Sequence, residues 1–287
     1  MTATSLAIGK HTFVWGERTY LMGVVNVSPE SFSGDGLADV EAAVAQARRF
    51  VDEGADILDV GGQSTRPGFA DLPPDEEIRR VVPVIERLVA ALDVPVSIDT
   101  YKAPVARAAL QAGAHLLNDI WGLRPDGGPS GRCDPSLAAL AVEFGVPAVV
   151  MHNQRGREHH DVIADIRAGI EASIAIAERA GLPRERLIAD PGFGFGWTEE
   201  QSLEMLRRLG ELRDLGLPLL VGTSRKSTIG AVLDGATVQQ RVYGSAATVA
   251  LAIANGADIV RVHDVAAMRD VARVADAVVR GWEGGAT

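Results

Sequence analysis

The stretch 218-PLLVGTSRKS-227 passes within ten residues from an unbroken apolar run to a loop that sets an arginine beside a lysine. An apolar run without alternation is what a strand buried on both faces requires. The same transition recurs in 20-YLMGVVNV-27, 57-ILDVGG-62, 94-VPVSIDT-100, 115-HLLNDI-120, 146-VPAVVMHN-153, 187-LIADPG-192 and 259-IVRVHDV-265, which completes a set of eight. Between these runs, segments such as 39-DVEAAVAQARRFVDEGA-55 and 199-EEQSLEMLRRLGELRDLG-216 space apolar residues three and four apart and close at glycine, as amphipathic helices do. Eight buried strands alternating with helices predict an α/β fold, a TIM (β/α)8 barrel forming one domain over residues 1–287. An open doubly wound sheet shares this periodicity and stands as the alternative. Ahead of the first run, 12-TFVWGERTY-20 alternates around Gly16-Glu17, so residues 1–19 are expected to carry a short β-hairpin that plugs the barrel's bottom.

Composition narrows the class of function. Of the 287 residues 47% are apolar and 23% charged, and no apolar run is long enough to span a bilayer, so a soluble globular protein with no membrane role is expected. The N-terminus lacks a charged segment followed by an apolar one, and the single cysteine, Cys133, cannot form an internal disulfide; both point to the cytoplasm. A net charge of -10 disfavours indiscriminate binding to nucleic acid while leaving room for a basic patch around a small anion.

In a parallel barrel every strand delivers its last residues to one rim, where the βα loops build the site. That rim offers Asn26, the loop 62-GQSTRPG-68, Asp99, Asn118 with Asp119, His152 with Asn153, Asp190, Arg225 with Lys226, and Arg261 with His263. Asp99, Asn118 and Asp190 supply acceptors and an amide suited to a flat heterocycle. An Asx turn or helix cap is the structural alternative for Asp99 and Asp190. Arg66, Lys226, Arg261 and His263 collect positive charge fit to clamp a phosphate or diphosphate; for Arg261 the competing role is an ion pair inside the mouth. The glycines of 192-GFGFG-196 and 222-GTSRKS-227 match no nucleotide-binding loop, and His159-His160 lack zinc spacing, so they are expected to be solvated.

Together, 23-GVVNVSPESFS-33, 61-GGQSTRPG-68, 97-SIDTYK-102, 118-NDIWG-122, 190-DPGFGFG-196, 222-GTSRKS-227 and 261-RVHD-264 resemble the dihydropteroate synthase family, pterin-binding barrels of folate biosynthesis, in order from about residue 21 to 275. The resemblance implies condensation of 7,8-dihydropterin-6-ylmethyl diphosphate with 4-aminobenzoate, with Mg²⁺ present and sulfonamides competing for the aminobenzoate site. It places the pterin against Asp99, Asn118, Asp190, Gly222 and Lys226. It assigns magnesium to Asn26 and the diphosphate to Asn26, Arg261 and His263, with Asp99, Lys226, Arg261 and His263 serving the chemistry. Phe32, Thr65, Arg66, Pro67 and Ser227 bound the aminobenzoate, with Asp35 on the first mobile loop.

The chain departs from the family pattern at Glu30, where aspartate is common, at 34-GDG-36, at Gln63, where glutamate is usual, and at Trp197, where many members have lysine. The tryptophan is expected to pack under its loop. A pterin-binding methyltransferase and a non-catalytic pterin-binding paralogue are the rival readings. The segment 243-YGSAATVALAIANGA-257, apolar nearly all round, is expected to be covered by the barrel on one side and by a second subunit of a homodimer on the other.

Overall fold

The computed structural model describes residues 5–27, 36–63, 72–124 and 136–282. A hairpin of β1 (Ser5–Ile8) and β2 (His11–Val14) precedes the strands β3 (Tyr20–Asn26), β4 (Ile57–Gly61), β5 (Val96–Asp99), β6 (Leu116–Asp119), β7 (Ala148–Met151), β8 (Leu187–Asp190), β9 (Leu220–Val221) and β10 (Ile259–Val262). The helices are α1 (Gly36–Asp52), α2 (Pro74–Ala91), α3 (Ala103–Gln111), α4 (Ser136–Glu143), α5 (Val162–Ala180), α6 (Glu199–Arg207), α7 (Ser227–Val232), α8 (Val242–Ala254) and α9 (Val265–Arg280). The eight longer-range strands pair in parallel in the order β8-β7-β6-β5-β4-β3-β10-β9. The two ends meet where Ala189 bridges Leu219 and its amide donates to the Pro218 carbonyl at 2.9 Å, which closes the barrel and removes the open-sheet alternative.

Closure leaves each strand with one face to the helices and one to the barrel axis, so inward residues follow a period of two. Outward Leu21, Leu58, Val60, Ile98, Leu117, Val150 and Val260 join the large core shared with the helices. Inward Met22, Ile57, Leu116, Val149, Ile188, Leu220 and Ile259 form a second core at the bottom, together with Leu6, Ile8 and Phe13 of the hairpin. The hairpin is therefore a plug, as expected, but it turns at Gly9-Lys10 rather than Gly16-Glu17, with Ser5 opposite Val14 and Ile8 opposite His11. Gly9 takes φ +58, and a Cβ there would fall 2.7 Å from the His115 ring, which suits glycine alone. The alternation that suggested the other turn comes from a packed aromatic trio, with Phe13 and Tyr20 edge to face at 4.7 Å and Trp15 beside both.

A second difference concerns 199–216, expected as one helix. The α-helix stops at Arg207 and a 3₁₀ helix over Leu209–Leu215 follows. The junction residue Arg208 gathers Glu204, Glu211 and Asp161 around its guanidinium, which ties this corner to the start of α5.

The hairpin's share of the bottom core makes a direct test. Phe13→Ala should lower unfolding stability by about 3–5 kcal/mol in a denaturant titration, the usual cost of an emptied aromatic site; a loss below about 1 kcal/mol would mean the plug is dispensable.

Candidate active site at the barrel mouth

The inward files that are apolar at the bottom become polar at the top: Asn26 on β3, Asp59 on β4, Asp99 on β5, Asn118 on β6, Asp190 on β8 and Arg261 on β10. The hub is Asp59, fully buried, which the strand-end reading did not select. Its Oδ2 accepts from Asn118 Nδ2 at 3.0 Å and from Arg261 Nε at 2.6 Å. Arg261 Nη2 then donates to Asp99 Oδ2 at 2.8 Å. The guanidinium thus lies between two carboxylates, the ion pair that the sequence left open as an alternative. A signal for Asp59 did exist: a charged residue inside an apolar run, two residues below the inward Gly61, has to face the axis. Gly61 itself is flanked by Asp99 Oδ2 and Asn26 Oδ1, which a side chain there would meet at 3.8 and 3.9 Å.

Burial dominates the acid–base character of this group. It pushes Asp99 up to about 7; Arg261 opposes the shift, while nearby Asp59 adds to it. Burial also pushes Asp190 up to about 6, against the pull of the Gly192 amide and of Lys226. For Arg261 burial works against the charge, but Asp59 and Asp99 outweigh it and the pKa is raised. Lys226 is driven down to about 7 by burial first and by Arg261 second, with Asp190 and Asp99 compensating in part.

The adjacent cations part company. Arg225 occupies the left-handed region at φ 59, held by its amide donating to Ser245 Oγ at 3.0 Å and by Arg241 donating to its carbonyl at 3.0 Å. This conformation costs roughly 1–3 kcal/mol for a residue with a side chain, and it sends Arg225 to a two-pronged pair with Asp264 at the start of α9. Lys226 instead caps α7 and sets its ammonium 4.0 Å from the centroid of the Phe195 ring. Phe195, which also carries Arg155 at 5.1 Å, had no signal in the sequence beyond its place between glycines.

Asp190 does make the Asx turn that was its structural alternative, accepting from the Gly192 amide at 2.8 Å. That uses Oδ1 and leaves the other oxygen for the mouth. Asp99 caps no helix; α3 is entered through Lys102, whose amide donates to Thr100 Oγ1 at 3.2 Å. His263 meets Ser224 Oγ at 3.0 Å through Nδ1. Gly222 lies beside Arg261, with room for ordinary contact at 3.7 Å. Ser227 is exposed at the first turn of α7. Phe32, Thr65, Arg66, Pro67, Asp35 and Glu30 lie outside the described residues. A cavity of about 720 Å³ opens beside the mouth, between α1 and α9, and shares Asn26 and His263 with the rim.

Two departures have clear settings. Gln63 accepts from Lys102 and from the Leu72 amide, while Lys102 also pairs with buried Glu77 at 2.8 Å, so Glu77 supplies the charge opposite that lysine. Trp197 is buried as expected, its ring 5.6 Å from His152 and 5.7 Å from His159. His159 and His160 are both exposed, as expected, with His159 Nδ1 2.9 Å from Asp165.

A family model for pterin binding enzymes matches residues 22–263, a span that holds every inward polar residue described above. The chain belongs to the pterin-binding enzyme family. It is similar to the dihydropteroate synthase of Clostridium beijerinckii, 45% identical over 277 residues that cover 96% of this chain and 100% of the relative. Among solved structures it resembles the dihydropteroate synthase of Clostridium difficile determined in the presence of pteroic acid, with a TM-score of 0.88 at 46% identity, covering 93% of this chain and 99% of the other. It equally resembles that of Xanthomonas albilineans with 4-aminobenzoic acid, at TM-score 0.88 and 43% identity, covering 96% and 98%.

The lowered pKa of Lys226 has a thermodynamic signature. Because its folded value lies below the ordinary 10.5, the lysine destabilises the fold fully below about pH 7, and the penalty fades as pH rises towards 10.5. Lys226→Met should therefore raise the melting temperature by a few degrees at pH 6, about 1 kcal/mol corresponding to roughly 2–4 °C in a chain of this size, and by nothing near pH 10.5. A pH-independent shift would mean that the ammonium is not held at a desolvated position.

Proposed function

We infer that the chain joins 7,8-dihydropterin-6-ylmethyl diphosphate to 4-aminobenzoate, giving 7,8-dihydropteroate and diphosphate, as a dihydropteroate synthase does. Family membership and near full-length similarity to enzymes of that name support the reading. The observation that carries it is the meeting, at one closed mouth, of an acceptor set, Asp99, Asn118 and Asp190, with the cations Arg261 and Lys226. A pterin edge presents several N–H groups, which acceptors recognise, and its diphosphate needs donors, which Arg261 and His263 supply.

The chemistry is displacement at a methylene attached to an electron-rich ring. The carbon–oxygen bond to diphosphate breaks, the aromatic amine forms the new carbon–nitrogen bond, and the amine then loses its proton. In this reading Asp99 stabilises positive charge developing on the ring, while Arg261 and His263 stabilise the departing anion. In the same reading Lys226, its pKa pushed down to about 7, would stand beside both the pterin and the incoming amine. Among the described residues no group of three or more His, Cys, Asp or Glu is able to grip a metal ion. A single amide oxygen, from Asn26, suits Mg²⁺ held chiefly by substrate phosphates and waters. When bound there, magnesium supplies charge neutralisation to the diphosphate.

The second subunit is likewise a proposal, now with a surface. Tyr243 and Leu251 on α8, Val274 and Val278 on α9 and the following Trp282 are exposed, and α8 packs along α9. Only the Ser245, Thr248, Val249, Ala252 and Ile253 side of α8 is covered by the barrel. A twofold pairing of these helices would cover the apolar remainder. No helix among the described residues is long and apolar enough to cross a membrane, and a cytoplasmic setting is part of the same reading.

Turnover decides the function. Purified chain supplied with the dihydropterin diphosphate and Mg²⁺ should release diphosphate and form dihydropteroate only when 4-aminobenzoate is added; pterin binding without product would mean a binding paralogue instead. Light scattering at micromolar concentration should give twice the chain mass of 30.3 kDa, and a monomer would remove the dimer.

A further inference from the structure

Asp59 takes no part in the chemistry derived above, yet it is fully buried and holds two residues of the mouth at once. Both bonds fall on the same oxygen, Oδ2. The other, Oδ1, is buried with no hydrogen-bond partner among the described residues. Such an arrangement costs desolvation free energy, so it is not explained as a device for stability alone. Its geometric consequences are specific.

A carboxylate only accepts, so the Asn118 amide must turn its NH2 towards Asp59, and its Oδ1 becomes the atom offered to a ligand. An asparagine free to rotate presents either end of its amide; this one is held with its NH2 on Asp59 and its Oδ1 turned away from it. Arg261 is fixed by the same oxygen. With Nε on Asp59 and Nη2 on Asp99, its remaining edge, Nη1, is the donor left for an anion.

We propose that Asp59 is a positioning residue that sets the polarity of the mouth, holding the Asn118 amide so that its Oδ1 is turned to accept from a heterocycle N–H, and aiming the Nη1 edge of Arg261 at the leaving anion. The inference rests on the pterin diphosphate reading of the site and names what selects the pterin edge within it. The two carboxylates that touch Arg261 have different jobs: Asp99 is at the ring, whereas Asp59 acts through its neighbours.

The test separates orientation from folding. Asp59→Asn nearly preserves volume but can donate as well as accept, so the Asn118 amide is no longer fixed. Calorimetric titration with the pterin alcohol that lacks the diphosphate should show affinity reduced about tenfold, the order expected for one mispaired buried hydrogen bond. The loss should largely vanish when the same substitution is made in an Asn118→Ala background, because the effect travels through Asn118. Inorganic diphosphate should bind Asp59→Asn several-fold more tightly, one competitor for the guanidinium having been neutralised. Unchanged pterin affinity, or a loss of the same size in both backgrounds, overturns the proposal, as does unaltered diphosphate affinity.

If Asp59→Asn does not fold, the parent chain still answers. The Asn118 side-chain amide protons, assigned by comparison with Asn118→Ser, should exchange slowly with solvent in the ligand-free protein, and fast exchange overturns the proposal. Failure of the parent chain to bind the pterin alcohol would instead sink the reading of the site on which the inference stands.

Discussion

A strand in a closed parallel barrel has no solvent face, so a polar side chain directed at the axis must find its partner among the inward side chains of other strands. At the bottom the problem does not arise, because Met22, Ile57, Leu116, Ile188 and Ile259 meet the hairpin. Towards the top the same files carry Asp59, Asp99, Asn118 and Arg261, and the guanidinium is the one group able to bridge two carboxylates from different strands. Much of the mouth follows from that bridge. It fixes Arg261 across the axis, it leaves Asn118 with one possible amide orientation, and it gives the half-buried Asp99 a cationic partner that opposes the desolvation pushing its pKa up to about 7.

The rim above β7 and β8 is built by backbone rather than by charge. Gly192 and Gly196 hold φ of +76 and +81, and a Cβ on them would fall 1.9 Å from the His152 carbonyl oxygen and 2.3 Å from the Arg155 amide nitrogen. Two loops, after β7 and after β8, are thereby pressed together, and the Gln154 amide donates to the Phe195 carbonyl at 3.0 Å. Trp197 closes the outside of this contact over His152. The result is that Asp190 and Phe195 are presented on a surface with little freedom, which is what recognition of a flat ring needs. A lysine in place of Trp197 would expose that seam to water, so the aromatic residue trades a rim cation for rigidity.

Eight apolar runs with polar ends were enough to read the barrel and to list most of the rim, because burial on both faces leaves an unmistakable composition in each strand. Pairings were not legible in the same way. Arg261 and Asp59 are 202 residues apart, and nothing local in either run specifies the other. Asp59 escaped because strand ends were read by their final residues, whereas the pleat delivers a second inward residue one layer lower. The hairpin turn was displaced since the aromatic trio Phe13, Trp15 and Tyr20 imitates strand alternation more strongly than the true strand Ser5–Ile8 does. The break at Arg208 likewise depends on Asp161, which approaches from another helix start. Local pattern identifies elements; tertiary partners decide where they stop.

The charge inventory of the mouth carries the reasoning one step further. Asp59, Asp99 and Asp190 face Arg261 and Lys226, so fully ionised the set would hold three negative charges against two positive ones. A diphosphate entering that environment meets net repulsion at close range, where poor solvent screening makes it strong. Burial pushes Asp99 up to about 7 and Asp190 up to about 6, which trims the negative charge near neutrality, but it also drives Lys226 down to about 7, so positive charge is trimmed over the same range and the excess persists. Under the proposed reaction, a divalent cation entering with the diphosphate and met by the neutral amide of Asn26 would offset that excess without adding another acid to the site.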